Sequence, residues 1–288
     1  LDVAAGPLAA FALVHAGADR PSRLLCVGHE LVMDTVSFRI LIEDLYEAYQ
    51  QLVRGEEIQL RDKTASFKQW TERLTAEADS TVVRNEVPFW LDEAWKVAAP
   101  LAPDASGGPS FTVSVALTAK ETASLVGTAL GVHRAELVEA VAAALGHAVA
   151  RWVGPRSLLV DLEADARGKI DGTDLSRTVG SLVTTYPVRM AADATATAGE
   201  AVRVAKEAIR RTPGHGFGYG LLRWSGRFVE AADKLGRYPR ADVSLRHAGV
   251  MEDLTAAVPA TLLGDGLARN PRTGSRYLLA VESAMRDG

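Results

Sequence analysis

The spacing of apolar positions divides the chain into alternating helices and strands. Apolar residues recur every three or four positions over residues 36–53, which predicts an amphipathic helix that ends at Gly55. The same spacing predicts helices at residues 67–78, 86–97, 119 onward, 136–149 and 199–211. Short or alternating apolar runs predict strands at residues 23–29, 111–117, 158–162, 186–190, 241–245 and 277–281. Because helices and strands mix throughout, the predicted fold class is α/β or α+β.

One segment interrupts this pattern. Residues 98–109 are rich in Ala, Pro, Gly and Ser, a composition typical of a linker. We therefore predict an N-terminal lobe at residues 1–107 and a C-terminal lobe at residues 108–288. Ser66 is expected to cap one helix, and Thr118 with Glu121 forms the capping-box pattern of another.

Composition narrows the class of protein. With 48% apolar and 24% charged residues, the chain has the balance of a soluble globular protein. A net charge of −4 argues against a nucleic-acid partner, which would require a basic face. No apolar run has the length that spans a bilayer, so we expect no membrane segment and a cytoplasmic location. The single cysteine, Cys26, lies in an apolar strand and is expected to be an inert thiol.

Candidate chemistry begins where the first predicted strand ends. His29 and Glu30 lie in the loop before a helix, a common position for catalytic groups. The alternative is that His29 packs inward and Glu30 is a solvated loop carboxylate. Asp34 follows, where it could cap the helix or pair with a distant arginine.

Two other segments carry polar groups. DLEADAR, residues 161–167, places three carboxylates and an arginine at the end of a strand, but no histidine lies nearby and we expect no metal site. Residues 213–220 contain four glycines. They match neither a phosphate loop nor a dinucleotide fingerprint, so tight turns or close backbone approach are the expected roles.

In this order the segments resemble the epimerization domains of nonribosomal peptide synthetases, a branch of the condensation-domain superfamily. HELVMDT, residues 29–35, stands where that family shows His-His-x-x-x-Asp-Gly. DLEADAR stands where Asp-Leu-Glu-Gly-His-Gly-Arg is usual. Four further segments are similar to family motifs: VSFRILIEDL at residues 36–45, KTASFKQW at 63–70, DLSRTVG at 174–180 and GFGYGLLR at 216–223.

The resemblance implies two lobes, each like chloramphenicol acetyltransferase, with a tunnel between them. It also implies a substrate that arrives on the phosphopantetheine arm of a carrier protein, with neighbouring synthetase domains as further partners and no directly bound cofactor. Gly6 and Pro7 already resemble a block from the middle of the first lobe, and the family's closing segment has no counterpart before Gly288. We therefore expect a fold that is incomplete at both ends, in a fragment or in a shortened relative.

The acid/base pair of the family is altered. The family candidates are the second histidine of the first motif and the glutamate of the strand-end motif, which fall on Glu30 and Glu163 here. A histidine titrates near neutrality, whereas an unperturbed glutamate titrates at about 4.3. Two close carboxylates can share one proton, so a Glu30–Glu163 pair remains chemically conceivable.

Other family positions also differ. The motif Phe-Asn-Tyr-Leu-Gly falls on residues 245–249, where Arg246 replaces the asparagine and His247 the tyrosine. Asp165 replaces the histidine of the strand-end motif. Thr35 replaces a glycine and resists positive φ, so the turn must change shape if that glycine uses positive φ.

Asp34 and Arg167 are retained, and in the family this kind of pair locks the lobes together. A retained framework with altered chemistry favours a binding module that no longer epimerizes. The alternative is a repurposed enzyme that acts on a carrier-tethered or small substrate. Its candidate catalytic residues are Glu30, Glu163, His29 and His247, and its candidate substrate-binding residues are Arg246, Ser176 and Tyr219. A structural spacer is a third hypothesis.

Overall fold

The computed structural model describes residues 1–17, 20–98, 100–101, 111–250 and 276–285. The predicted boundary between residues 107 and 108 lies outside these ranges. Helices and strands mix in the described parts of the chain, as predicted from the sequence.

The first elements are a hairpin and a long helix. Strands β1 (Ala9–Val14) and β2 (Arg23–Gly28) pair in antiparallel fashion, and α1 (Thr35–Val53) follows. The strand predicted at residues 23–29 and the helix predicted at residues 36–53 are confirmed as β2 and α1, whereas β1 was not predicted. Helix α1 begins at Thr35 because the side chain of Asp34 accepts a hydrogen bond from the backbone N–H of Ser37.

Two α-helices and a 3₁₀ turn come next: α2 (Phe67–Glu77), α3 (Thr81–Trp90) and the turn Glu93–Val97. The predicted capping role of Ser66 is confirmed by its reciprocal hydrogen bonds with Gln69. The prediction of one helix over residues 86–97 was wrong. Ser80 caps α3 earlier, and the side chain of Asp92 starts the separate 3₁₀ turn by accepting from the N–H of Ala94.

A four-stranded sheet forms the centre of the second lobe. Its strands are β3 (Arg156–Asp165), β4 (Val183–Ala192), β5 (Val243–Val250) and β6 (Leu279–Met285), in the order β4-β3-β5-β6. Strand β3 pairs antiparallel with β4 and parallel with β5, which in turn pairs parallel with β6. The strands predicted at residues 158–162, 186–190, 241–245 and 277–281 are confirmed.

The helices of this lobe are α4 (Ala119–Ser124), α5 (Leu130–His133), α6 (Leu137–Val153), α7 (Ala198–Arg210), α8 (Phe217–Trp224) and α9 (Val229–Gly236), with a π turn Leu125–Ala129 between α4 and α5. The capping box of Thr118 and Glu121 is confirmed. Among the described residues, no helix is both long and apolar enough to cross a membrane.

The prediction of a strand at residues 111–117 was wrong. These residues are outside every sheet, and the side chains of Phe111 and Val115 are 88% and 89% exposed. An alternating pattern forms a strand only beside a pairing partner, and no described strand pairs with this segment.

The sheet is covered on both faces. On one face, Val160 and Met190 belong to the core that includes α6 and α7, and Met190 approaches Gly146 of α6. On the other face, Leu159 lies beside Trp90 of α3 and Trp95 of the 3₁₀ turn. Trp90 is 1% exposed, so α3 completes the core of the second sheet.

Candidate functional site

Asp34 joins the start of α1 to the second lobe. Its Oδ2 accepts hydrogen bonds from Arg167 Nη1 at 2.8 Å and from the N–H of Leu182 at 3.0 Å. Its Oδ1 accepts from Arg167 Nη2 at 3.1 Å and from the backbone and hydroxyl of Ser37. Burial alone would raise the pKa of Asp34, but these hydrogen bonds outweigh it and hold the pKa below its ordinary value.

Ser37 extends this contact to Gly180. The Ser37 hydroxyl, whose single proton is shared between Asp34 Oδ1 and the carbonyl of Gly180, lies 2.9 Å from that carbonyl, and it accepts a hydrogen bond from the N–H of Gly180 at 3.0 Å. A Cβ at position 180 would lie 2.5 Å from the ring of Phe67, so only glycine permits this approach. The loop before β4 is therefore fixed against both α1 and α2.

Arg177, in the same loop, pairs with α1 as well. It donates to Glu43 Oε2 at 2.8 Å and also to Asp44. The adjacent Ser176 is exposed, and its N–H donates to Asp174. The described contacts of the segment 174–180 are thus contacts within the loop and between the lobes.

Glu163 lies at the end of β3 and pairs with Arg246. The guanidinium Nε of Arg246 is 3.1 Å from Glu163 Oε1, and its Nη2 donates to Thr35 Oγ1 at 2.6 Å. The two residues are neighbours because Leu162 and Leu245 are register partners in the parallel pair β3–β5. Arg246 therefore bridges the second-lobe sheet and the first turn of α1.

Burial and four neighbouring charged groups shift the pKa of Glu163. Burial raises the pKa of its carboxyl, while the positive charge of Arg246 opposes that shift. The negative charges of Glu30, Glu282 and Asp34 raise the pKa further. Glu30 and Glu163 thus interact electrostatically, with Arg246 paired to one of them.

His29 and Glu30 occupy the turn between β2 and α1. The N–H of His29 donates to the carbonyl of Leu8 at 2.8 Å, and its Nδ1 accepts from the N–H of Leu31 at 3.1 Å. The imidazole is half-buried, whereas Glu30 is exposed. Among the described residues, no hydrogen bond or ion pair holds the Glu30 carboxylate.

Thr35 lies inside α1 rather than in a turn with positive φ. Positive φ at a non-glycine residue occurs, within the described chain, only at Arg134 and His215. The conflict considered for a threonine at this position therefore does not arise, and the Thr35 hydroxyl is instead an acceptor for Arg246.

His247 is turned away from this group. Successive residues of a strand point to opposite faces of the sheet, so Arg246 and His247 lie on different faces of β5. The Nδ1 of His247 is 3.0 Å from the hydroxyl of Ser283 on β6, and burial lowers the pKa of the imidazole. The structure therefore brings together Glu30, Glu163 and Arg246, with His247 outside the group.

Asp161 is a buried carboxylate that the sequence marked only as one of the three carboxylates in residues 161–167. It lies two residues before Glu163 on the same face of β3, and its Oδ2 accepts from Arg276 Nη2 and Tyr277 Oη, both at 2.8 Å. Burial raises the pKa of Asp161. The signal in the sequence was the Asp-x-Glu alternation of residues 161–163.

Tyr219 lies on α8 and lines a cavity that Asp161 also lines. Its ring centroid is 4.9 Å from that of Trp90. The described residues contain no group of three or more His, Cys, Asp or Glu side chains that could hold a metal ion.

The chain resembles large synthetases at the level of sequence. The profile of the family described as "Condensation domain" matches residues 1–233. One protein of the linear gramicidin synthase of Brevibacillus parabrevis is 38% identical over 298 residues, which cover 99% of this chain and 4% of that protein. Chondramide synthase cmdD of Chondromyces crocatus is 33% identical over 301 residues, covering 100% of this chain and 8% of that protein. The chain thus spans a small part of the length of these relatives.

Solved structures agree with the sequence relatives. The epimerization domain from the third module of tyrocidine synthetase B superposes with a TM-score of 0.80 at 27% identity, over 98% of this chain and 64% of that one. The first condensation domain of the calcium-dependent antibiotic synthetase superposes with a TM-score of 0.64 at 20% identity, over 84% and 52% of the two chains, which supports the fold. The chain therefore belongs to the condensation-domain family and is a condensation/epimerization-like domain of nonribosomal peptide synthetases.

Proposed function

We propose that this domain binds a carrier protein, or a neighbouring synthetase domain, in the cytoplasm and does not epimerize the tethered residue. The substrate would be an aminoacyl or peptidyl group on the phosphopantetheine arm of the carrier. The domain would keep the scaffold that receives the arm while lacking the groups that move the α-proton.

The observation that carries the proposal is the bridge from Glu163 through Arg246 to Thr35. A general base needs a lone pair directed at the proton that it removes. One oxygen of Glu163 is instead 3.1 Å from Arg246 Nε, and Arg246 is anchored to Thr35 at 2.6 Å. One carboxylate oxygen of the residue at the base position is therefore engaged in an internal ion pair.

The opposite face of the α-carbon needs a second acid/base group. The family resemblance places a histidine, the usual residue for proton transfer near neutral pH, where this chain has the exposed Glu30. If neither Glu30 nor Glu163 transfers a proton, no acid/base group is available on either face of the α-carbon. The retained contacts of Asp34 with Arg167 and Leu182 support a scaffold that still binds the carrier protein.

The test combines binding and stereochemistry in the full-length protein. A carrier protein loaded with an L-aminoacyl phosphopantetheine arm is titrated against it, with the carrier lacking its arm as the matched control. We expect binding that is tighter with the loaded arm, and recovery of only the L residue. Recovery of the D residue, or no binding of either carrier, would overturn the proposal.

A repurposed enzyme is the second candidate, and one observation favours it. Burial raises the pKa of Glu163 despite the opposing charge of Arg246, and the charge of Glu30 adds to the rise, which is the direction that acid/base work requires. Cyclization, dehydration or acyl transfer on a tethered substrate would be within reach of such a pair. If so, Glu30→Gln and Glu163→Gln abolish product formation, while Asp233→Asn, at an exposed surface pair, does not. Unchanged turnover in Glu30→Gln excludes this function.

A further inference from the structure

A second candidate site lies beside the group just described. A cavity of about 160 Å³ opens among residues of β3, α3, α8 and the segment after α9. Its walls include the aromatic rings of Trp90, Trp95, Tyr219 and Tyr238. Its charged lining residues are Asp161, Arg223, Arg240 and Arg276. We call it the Tyr219 cavity.

The charge of this cavity is positive. Three arginines face one carboxylate, and that carboxylate already accepts from Arg276 at 2.8 Å. Arg223 Nη1 donates to the carbonyl of Ala232 at 2.9 Å, and its guanidinium lies 4.5 Å from the ring of Trp224. Arg240 has neither an ion pair nor a hydrogen bond with the part of the chain that the structure describes. Arg240 is exposed, so the cavity offers a solvent-accessible cation that no described residue neutralises.

The phenol of Tyr219 lies among these charges. Burial raises its pKa, the negative charge of Asp161 raises it further, and the three arginines oppose the shift. Within the described residues its hydroxyl makes no hydrogen bond. A protonated hydroxyl and a free guanidinium thus line the same small space.

The class of ligand follows from these groups. A positive cavity with an available O–H donor selects an anion, and a planar guanidinium matches the two oxygens of a carboxylate. The volume is below the range of about 300–1,000 Å³ typical of sites for larger ligands, so it has room for one ring or a short acyl chain. Aromatic walls favour such an apolar body.

We propose that the Tyr219 cavity binds the carboxylate of a small ligand with an aromatic or short apolar body. Arg240 supplies the charge and Tyr219 a hydroxyl donor. Asp161, which lines the cavity, and Glu163 are two residues apart on one strand face, about 7 Å along β3. The proposal goes beyond carrier binding and does not depend on whether the domain epimerizes.

Benzoate is the probe, titrated into the full-length protein and followed by tryptophan fluorescence and calorimetry. Benzamide serves as the neutral ligand of similar shape, and inorganic phosphate as an anion without a ring. We expect benzoate to bind more tightly than either. Arg240→Gln should weaken benzoate binding about threefold to fivefold, the scale of one exposed charge pair, and leave benzamide binding unchanged.

The matched control is Arg237→Gln, because Arg237 is an exposed arginine on the same segment that pairs with Asp233 outside the cavity. It should leave benzoate affinity unchanged, whereas Tyr219→Phe should lower it several-fold. Equal affinity for benzoate and benzamide, tighter binding of phosphate, or equal losses in Arg240→Gln and Arg237→Gln would overturn the assignment.

Discussion

Arg246 pairs with Glu163 and, through the same guanidinium, with Thr35 of the first lobe. The strand-end carboxylate that the family resemblance marks as an acid/base candidate is therefore held by a cation from the adjacent strand. Both side chains are partly shielded, with exposed fractions of 29% for Glu163 and 24% for Arg246. This relationship connects the altered sequence motifs to the proposed loss of epimerization.

The first prediction concerns the titration of Glu163. Arg246→Gln removes the charge that opposes the upward shift, so the pKa of Glu163 should rise further above its ordinary value. The measurement is an NMR titration of the labelled glutamate carboxyls, assigned with Glu163→Gln. Arg237→Gln is the control and should leave that titration in place. An unchanged or lower pKa in Arg246→Gln would show that the ion pair does not form in solution.

The second prediction concerns the contact between the lobes. Asp34→Asn removes the negative charge that pairs with Arg167. Both side chains are nearly buried, with exposed fractions of 5% for Asp34 and 10% for Arg167. Breaking a buried pair in this way costs about 3–5 kcal/mol. Urea denaturation at pH 7 should show this loss of unfolding free energy. Asp233→Asn, in an exposed pair, should change it by less than about 1 kcal/mol.

The third prediction is the pH dependence of that loss. The folded-state pKa of Asp34 is lowered, so its contribution to stability is present above the unfolded value of about 3.9 and disappears as the pH falls through the folded value. The difference between wild type and Asp34→Asn should be largest above about pH 5 and should shrink below about pH 4. A difference that stays constant from pH 7 to pH 3 would assign the effect to packing.

The fourth prediction concerns Gly218, a glycine in the first turn of α8. A Cβ at Gly218 would lie 2.2 Å from the buried carboxylate of Glu86, which accepts from Trp90 Nε1 at 2.9 Å. Gly218→Ala should therefore destabilise the protein by about 1–3 kcal/mol despite the better helix propensity of alanine. Thermal unfolding of the purified variant measures the change.

Gly131→Ala is its control, since that helical glycine has open space around its Cβ position. It should be neutral or stabilising by up to about 1 kcal/mol. A Gly218→Ala protein as stable as Gly131→Ala would contradict the close approach of Glu86.

The sequence predicted most elements because their signals are local. Ser66 and Thr118 begin helices through side-chain hydrogen bonds to their own first turns, and the apolar runs at β3 and β4 form strands wherever they pair. The segment 111–117 had the same local pattern but has no described partner strand. Pairing is a property of the whole fold, so the alternation of that segment could not decide its structure.

The candidate site was predictable only in part, for a related reason. Residues 30, 163 and 246 were identified as candidates from motifs in the family's order. Their mutual arrangement, however, depends on the parallel pairing of β3 with β5. That pairing places Arg246 beside Glu163 and turns His247 toward Ser283. The contacts of Asp161 could not be predicted because its partners, Arg276 and Tyr277, lie more than a hundred residues away along the chain.

Exchange of the substrate α-proton tests the central claim most directly. An L-aminoacyl carrier protein is incubated with the full-length protein in D₂O, and the released amino acid is examined by mass spectrometry for deuterium at the α-carbon. We predict no deuterium above the level found without the protein, because neither Glu30 nor the paired Glu163 removes the proton. Incorporation of deuterium that disappears in Glu163→Gln would contradict the account.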